Sequence, residues 1–410
     1  MAIETKILDN GLKTTIDSQP HLQTVTIAFG VGLGSVDENP KLNGSAHFLE
    51  HMLFKGTNER TWKDIDDQLK EIGASYNAFT DHETTIYFTQ VYKDYFGKAM
   101  EILSDMIKNS TLPEKEFELE RGPVINENLI RHDNTKYMIS DYMPLVLYRK
   151  HPARMSIGGD NEKSIWNIRR SDLMDLYKGN YVPGNSVLSI YGAVSAKNAA
   201  DCASRYFTDF DGKPRKAKRA IAREKQERCT LTIKRKGIKQ TRIGIGFKSS
   251  EFRRGDAEEY LALSVIERYL GDKLFEEIRE KNGLSYDPMF LYGAYSTFGF
   301  IAAAAGIEPS KLEKAKGIML SEYQKLQDGE IDKKELERTK RTISIEGRIR
   351  KDNTAAMAMN TASYELMYGG SKLLYDFPDL IKKVTLDDVR KYSRKYIDVD
   401  KCGVVILKPE

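Results

Sequence analysis

His47-Phe48-Leu49-Glu50-His51 is the stretch of this 410-residue chain whose residue types and spacing can do chemistry. On a helix, residues three and four apart share a face, so His47, Glu50 and His51 would project together. Two imidazoles at that spacing can hold one Zn²⁺, and a carboxylate between them stands close enough to take a proton from an activated water. A hydrolytic zinc needs a third protein ligand and a position left to solvent. Glu127, in a helix-like stretch 76 residues after His51, is the candidate, with Glu120 two turns earlier on the same face to orient an imidazole from behind. His82, His132 and His151 compete for the ligand role, and sequence spacing does not decide among them.

The elements that must position these groups read as a duplicated α+β chain. Glu116-Phe117 and Glu127 are echoed by Glu335-Leu336 and Glu346 at an offset of 219, and the segment ending at Tyr181 is echoed by the one ending at Tyr396 at an offset of 215. Such a period far exceeds that of any solenoid repeat and implies two similar domains. The expected division is a metal-bearing domain at 1–212, a basic connector at 213–228 and a second domain at 229–410, each a mostly antiparallel sheet flanked by helices. Strands are expected at Thr24 to Phe29, Thr84 to Thr89, Val187 to Tyr191, Ile243 to Phe247, Phe298 to Ala305 and Gly403 to Leu407. Helices are expected over Tyr95 to Asn109 and from Leu312 to Leu326.

Composition narrows the partners. Lys plus Arg at 64 against Asp plus Glu at 60 leaves +4, too little over this length to favour nucleic acid or an anionic membrane surface. No apolar run approaches the length of a membrane span, the first residues do not read as a secretion signal, and three scattered cysteines form no disulfide framework. The expectation is a cytoplasmic chain in a reducing compartment. Gly30-Val-Gly32-Leu-Gly34 follows a strand but leads into a turn, which argues against a dinucleotide loop.

The run from Gly44, GSAHFLEHMLFKGT, together with Glu120-Arg121, Glu127 and Asn77-Ala78-Phe79-Thr80, resembles the inverted-motif zinc peptidases of the pitrilysin, insulin-degrading enzyme and mitochondrial processing peptidase family. The resemblance runs over essentially the whole chain. It implies one Zn²⁺ per chain on His47, His51 and Glu127, with Glu50 as general base and Glu120 behind the ligands. It also implies that Asn77, Ala78 and Phe79 line a cleft where an extended peptide adds as a strand. In the second half, Ser264 to Gly271 keeps the outline of the motif without a histidine. There Arg279 and Tyr286, seven apart, resemble the family's pair that contacts the substrate carbonyl. Two-domain members build a closed chamber from two chains, so the resemblance implies a homodimer in which each metal site faces the partner's Arg279 and Tyr286. The function so implied is endoproteolysis of short or unfolded peptides. The alternative is a non-catalytic scaffolding subunit of the same fold in a processing or respiratory complex.

Overall fold

The run TVTIAFGV forms strand β3 (Thr24–Val31), buried over all but its first residue because helices cover both faces of its sheet. A computed structural model describes residues 3–214, 219, 224–252 and 257–410. The first sheet adds β1 (Glu4–Ile7), β2 (Lys13–Ser18), β4 (Ser75–Thr80), β5 (Thr85–Tyr92) and β6 (Ser186–Gly192), in the order β1-β2-β6-β3-β5-β4. The second holds β7 (Cys229–Arg235), β8 (Thr241–Ser249), β9 (Met289–Ala294), β10 (Gly299–Ile307) and β11 (Gly403–Pro409), in the order β7-β11-β8-β10-β9. With β1 set aside, the two orders superimpose strand for strand. Each has one parallel pair, β2 with β6 and β7 with β11, and antiparallel pairing elsewhere. The fold is α+β and duplicated, as the echoes predict.

The helices that concern the site are α1 (Ser45–Met52), α2 (Trp62–Glu71), α3 (Phe96–Asn109), α4 (Glu114–Asp133) and α5 (Thr135–Leu147). Each sheet has its own core: Phe29, Phe48, Tyr87 and Phe117 belong to the first, Phe247, Ile266 and Tyr323 to the second.

The compact units are not contiguous in sequence, and this corrects the expected division. One consists of Met1–Asn128, Met155–Lys218 and Ile349–Leu374, the other of Leu129–Arg154, Arg219–Arg348 and Tyr375–Glu410. Helix α5, from the first half of the sequence, packs on β8 and β11, while the Thr354–Tyr368 helix, from the second half, packs on β3, β5 and β6. Each half thus lends one helix to the other half's sheet. Glycines in the strands admit these helices. A Cβ on Gly244 would stand 2.8 Å from Ile139, one on Gly246 2.7 Å from Met143, and one on Gly30 2.8 Å from Leu366. Polar anchors fix the seating. The Thr354 hydroxyl meets Thr26 at 2.9 Å and accepts from Gln90 at 2.6 Å, and Lys13 pairs with Glu365 at 2.9 Å. On α5, Lys136 reaches Asp287 at 3.1 Å, beside the Arg242 to Asp287 bond of 2.8 Å. Of the connector expected at 213–228, residues 215–218 and 220–223 lie outside the described residues.

Candidate metal centre

At eight residues α1 is too short to persist by itself, so tertiary contacts hold it. Its start is fixed by Gly44, whose φ of +96° and crowding by Gly158 and Ile165 leave no room for a side chain. The buried Glu38 carboxylate accepts from the amides of Gly44 at 2.8 Å and Ala46 at 2.7 Å and from the Asn43 side chain at 2.7 Å, capping the helix N-terminus. The apolar side of α1 is locked by Phe48, which stacks on Phe117 of α4 with centroids 5.0 Å apart. Arg121, one turn on, lies over the Phe117 ring and donates to the carbonyls of Ile165 and Ile168, both at 2.8 Å. The same contacts that bury α1 therefore set the height of Glu120 and Glu127 on α4.

With the backbone so placed, His47, His51 and Glu127 converge, and among the described residues they form the group of three whose ligand atoms all lie within 4.8 Å of one another. His47 Nε2 and His51 Nε2 are 3.3 Å apart, and the Glu127 carboxylate is 3.2 Å from His51 Nε2 and 3.7 Å from His47 Nε2. Three ligands of a tetrahedral zinc at about 2.0–2.1 Å would stand about 3.3 Å from one another, so the donor set and its spacing fit the ion. On the far side of the ring, His51 Nδ1 donates to Glu120 Oε1 at 2.9 Å, and Glu120 is also bonded to Lys55 at 2.5 Å. In the neutral ring that bond keeps the proton on Nδ1, so Nε2 is the nitrogen that can ligate a cation at the centre. His47 and Glu50 are nearly buried, at 9% and 7% exposure, whereas the Glu127 side chain is 55% exposed, so the centre opens on that side.

The electrostatics divide the carboxylates into two kinds. Hydrogen bonds from His47 and His51 hold Glu127 well below the usual carboxylate range. Burial works against ionised Glu120, yet the bonds to His51 and Lys55 keep it low as well. Glu50 goes the other way: burial raises it, against the pull of His47 and of a Thr80 hydroxyl. Burial disfavours a charged His51, but Glu120 and Glu127 outweigh it and lift the imidazole to about 9, the response of a site built for positive charge.

A cavity of about 390 Å³ adjoins Glu50 and His51, walled by Phe54, Trp62, Ile65 and Tyr76, with Lys55, Asp66 and Glu120 at its polar edge. Tyr76 and Asn77 belong to β4, the last strand of the sheet. Asn77 and Phe79 are exposed along it, and Ala78 is half-buried. Spacing does not reveal this cavity, because its walls come from three separate elements. Glu38 and Thr80 are likewise invisible to a motif, although Thr80 closes the Asn77-Ala78-Phe79-Thr80 run.

The competing histidines lie apart from the group. His82 Nδ1 meets the Ser35 hydroxyl at 2.9 Å, His151 Nδ1 accepts from the Ala153 amide at 3.0 Å, and His132, in the last turn of α4, lies outside the group. In the second unit, Arg279 stacks between Phe275 and Tyr286, its guanidinium 4.5 Å from the Tyr286 ring centre, and Tyr286 is 81% exposed. Gly283, at φ +56°, makes the turn between them. Where the first unit joins His51 to Glu127, the second joins Arg268 to Glu346 through bonds of 3.2 and 3.3 Å. An ion pair there takes the place of two metal ligands.

The comparisons give the family. The family profile described as Insulinase (Peptidase family M16) matches residues 13–161, and that described as the Peptidase M16 inactive domain matches 167–343. The chain belongs to the M16 peptidase family. It is similar to an uncharacterized zinc protease of Bacillus subtilis, 26% identical over 393 residues that cover 95% of each chain. It is also similar to the human mitochondrial-processing peptidase subunit beta, 36% identical over 208 residues that cover 50% of this chain and 42% of that one. A protease from Helicobacter pylori shares the fold over 100% of this chain and 99% of its own, with a TM-score of 0.91 at 22% identity. At family level this is a zinc metallopeptidase. No helix among the described residues is long and apolar enough to cross a membrane.

Proposed function

We propose that this chain is a zinc-dependent endopeptidase acting on short or unfolded peptides. The observation that carries the reading is the convergence of His47, His51 and Glu127 at tetrahedral spacing, with a buried, proton-seeking Glu50 beside them. A zinc ion held by those three side chains supplies Lewis acidity toward a water and a peptide carbonyl. Glu50 takes the proton of the attacking water and returns it to the leaving amine, a role its raised pKa suits. The free edge of β4 aligns the substrate backbone through main-chain hydrogen bonds, which tolerate many side chains. The apolar cavity beside Glu50 receives one substrate side chain, favouring a bulky apolar residue next to the cleaved bond.

Arg279 and Tyr286 complete the reading. Stacked on each other in the second unit, the half-buried Arg279 and the exposed Tyr286 present a guanidinium and a phenol that can donate to a substrate carbonyl as charge builds on it. In the proposed homodimer each metal site is faced by the partner's Arg279 and Tyr286, enclosing a chamber that admits unfolded peptides and excludes folded proteins. We place the enzyme in the cytoplasm.

Hydrolysis of a quenched fluorescent peptide tests the reading. Activity should vanish with a chelator and return with Zn²⁺. Glu50→Gln should retain metal and lose turnover by about 10²–10⁴-fold. Full activity in Glu50→Gln, or in chelated protein, would sink the peptidase mechanism.

A further inference from the structure

Thr80, the last residue of β4, donates its hydroxyl to Glu50 Oε2 at 2.5 Å. Side chains alternate along the strand: Asn77 and Phe79 stand exposed, whereas Tyr76, Ala78 and Thr80 turn the other way and are half-buried. The hydroxyl has one proton, and the surroundings fix where it goes. Thr85, directly across on β5, spends its own proton on the Leu33 carbonyl at 2.9 Å and lies 3.4 Å from the Thr80 oxygen. Thr85 therefore has no proton to give Thr80, and of the two acceptors within reach of the Thr80 proton the Glu50 carboxylate is by far the nearer and the stronger.

We propose that Thr80 is a positioning residue for the peptidase base, pinning Oε2 of Glu50 so that Oε1 is the oxygen that takes and returns the proton. The inference rests on the function proposed above and adds to it a residue outside the zinc ligands and the base. The terminal torsion of a glutamate is broad and roughly two-fold, so a carboxylate without a fixed partner samples orientations that spoil proton transfer. A donor on one oxygen removes that freedom and satisfies a nearly buried lone pair. Because Thr80 sits on the strand whose free edge aligns the substrate, the same element sets the peptide backbone and the base. Its side chain is turned away from the exposed residues of that edge, so it acts on the chemical step and not on binding.

The test is steady-state kinetics on the full-length enzyme with a quenched peptide, alongside zinc content and melting temperature. Thr80→Val keeps the shape and removes the donor, and it should lower kcat by about 10–100-fold with KM changed less than about twofold and zinc content unaltered. Thr80→Ser should restore most of kcat. Should Val disturb the melt, Thr80→Ala should show the same loss of kcat. Wild-type kcat in both donor-free variants would overturn the proposal, as would a Ser variant no better than Val, or a loss accounted for by missing zinc or a raised KM. The outcome is separable from the parent reading, because activity in Glu50→Gln would remove the peptidase mechanism whatever Thr80 does.

Discussion

His51 is held by carboxylates on both ring nitrogens, and this double grip decides what the centre binds. Glu120 holds the ring proton on Nδ1, Lys55 neutralises Glu120 from behind, and Nε2, beside Glu127, is the nitrogen that would ligate a cation. Glu120→Gln preserves shape but weakens the acceptor, and it should lower zinc affinity by about 10–100-fold, read by competition with a chromophoric chelator. An unchanged affinity would mean that the ring is positioned by packing alone. The ligands and the base are legible in the sequence because helical spacing fixes His47, Glu50 and His51 relative to one another whatever surrounds them. Glu120 and Glu127 follow from the same geometry on α4, since two turns return a residue to the same face. Glu38, Lys55 and Thr80 are not legible: each acts across a tertiary contact, and nothing in its own segment says which helix end, carboxylate or base it will meet.

At the scale of elements, the exchange of helices between the halves is the feature that the sequence hides. The repeat is visible because Glu116-Phe117 and Glu335-Leu336 occupy equivalent turns. An amphipathic helix such as α5, however, reads the same whichever sheet it will cover, so the contiguous division at 212 and 229 is the natural expectation. What seats α5 is close packing over Gly244 and Gly246 and the ion pairs around Asp287. Burial alone would raise the Asp287 carboxyl, but hydrogen bonds from Arg242 and Lys136 outweigh it and depress the carboxyl below its ordinary 3.8. A folded pKa below the unfolded one means that the unfolded chain binds the proton more readily. The contribution is therefore present above about pH 4 and fades as pH falls through the depressed value. Urea midpoints should drop on acidification below pH 4, with a shallower slope in Asp287→Asn, which has no charge there to lose. Identical slopes in the two proteins would remove Asp287 from the account of how α5 is held.

At the scale of the whole molecule, the chain carries a complete ligand set in one unit and an Arg268 to Glu346 ion pair at the matching place in the other. The proposed function accordingly expects one metal per chain, with the second unit presenting Arg279 and Tyr286. If the homodimer places that pair opposite the partner's metal, two inactive proteins should rescue each other. Glu50→Gln mixed and re-associated with an Arg279→Ala, Tyr286→Phe variant should recover peptide hydrolysis that neither shows alone. Absence of recovery in a mixture shown by co-purification of differently tagged chains to contain mixed dimers would contradict the arrangement. Assembly is the least legible level in the sequence, since the motif names a site but not the surface that completes it. The central claim is that two imidazoles and Glu127 hold a catalytic zinc. Its most direct test is elemental analysis of purified protein, wild type against Glu127→Gln, with peptide hydrolysis measured on the same samples. The account predicts one zinc per wild-type chain and a variant that loses metal and activity together. A Glu127→Gln protein that kept both would contradict it.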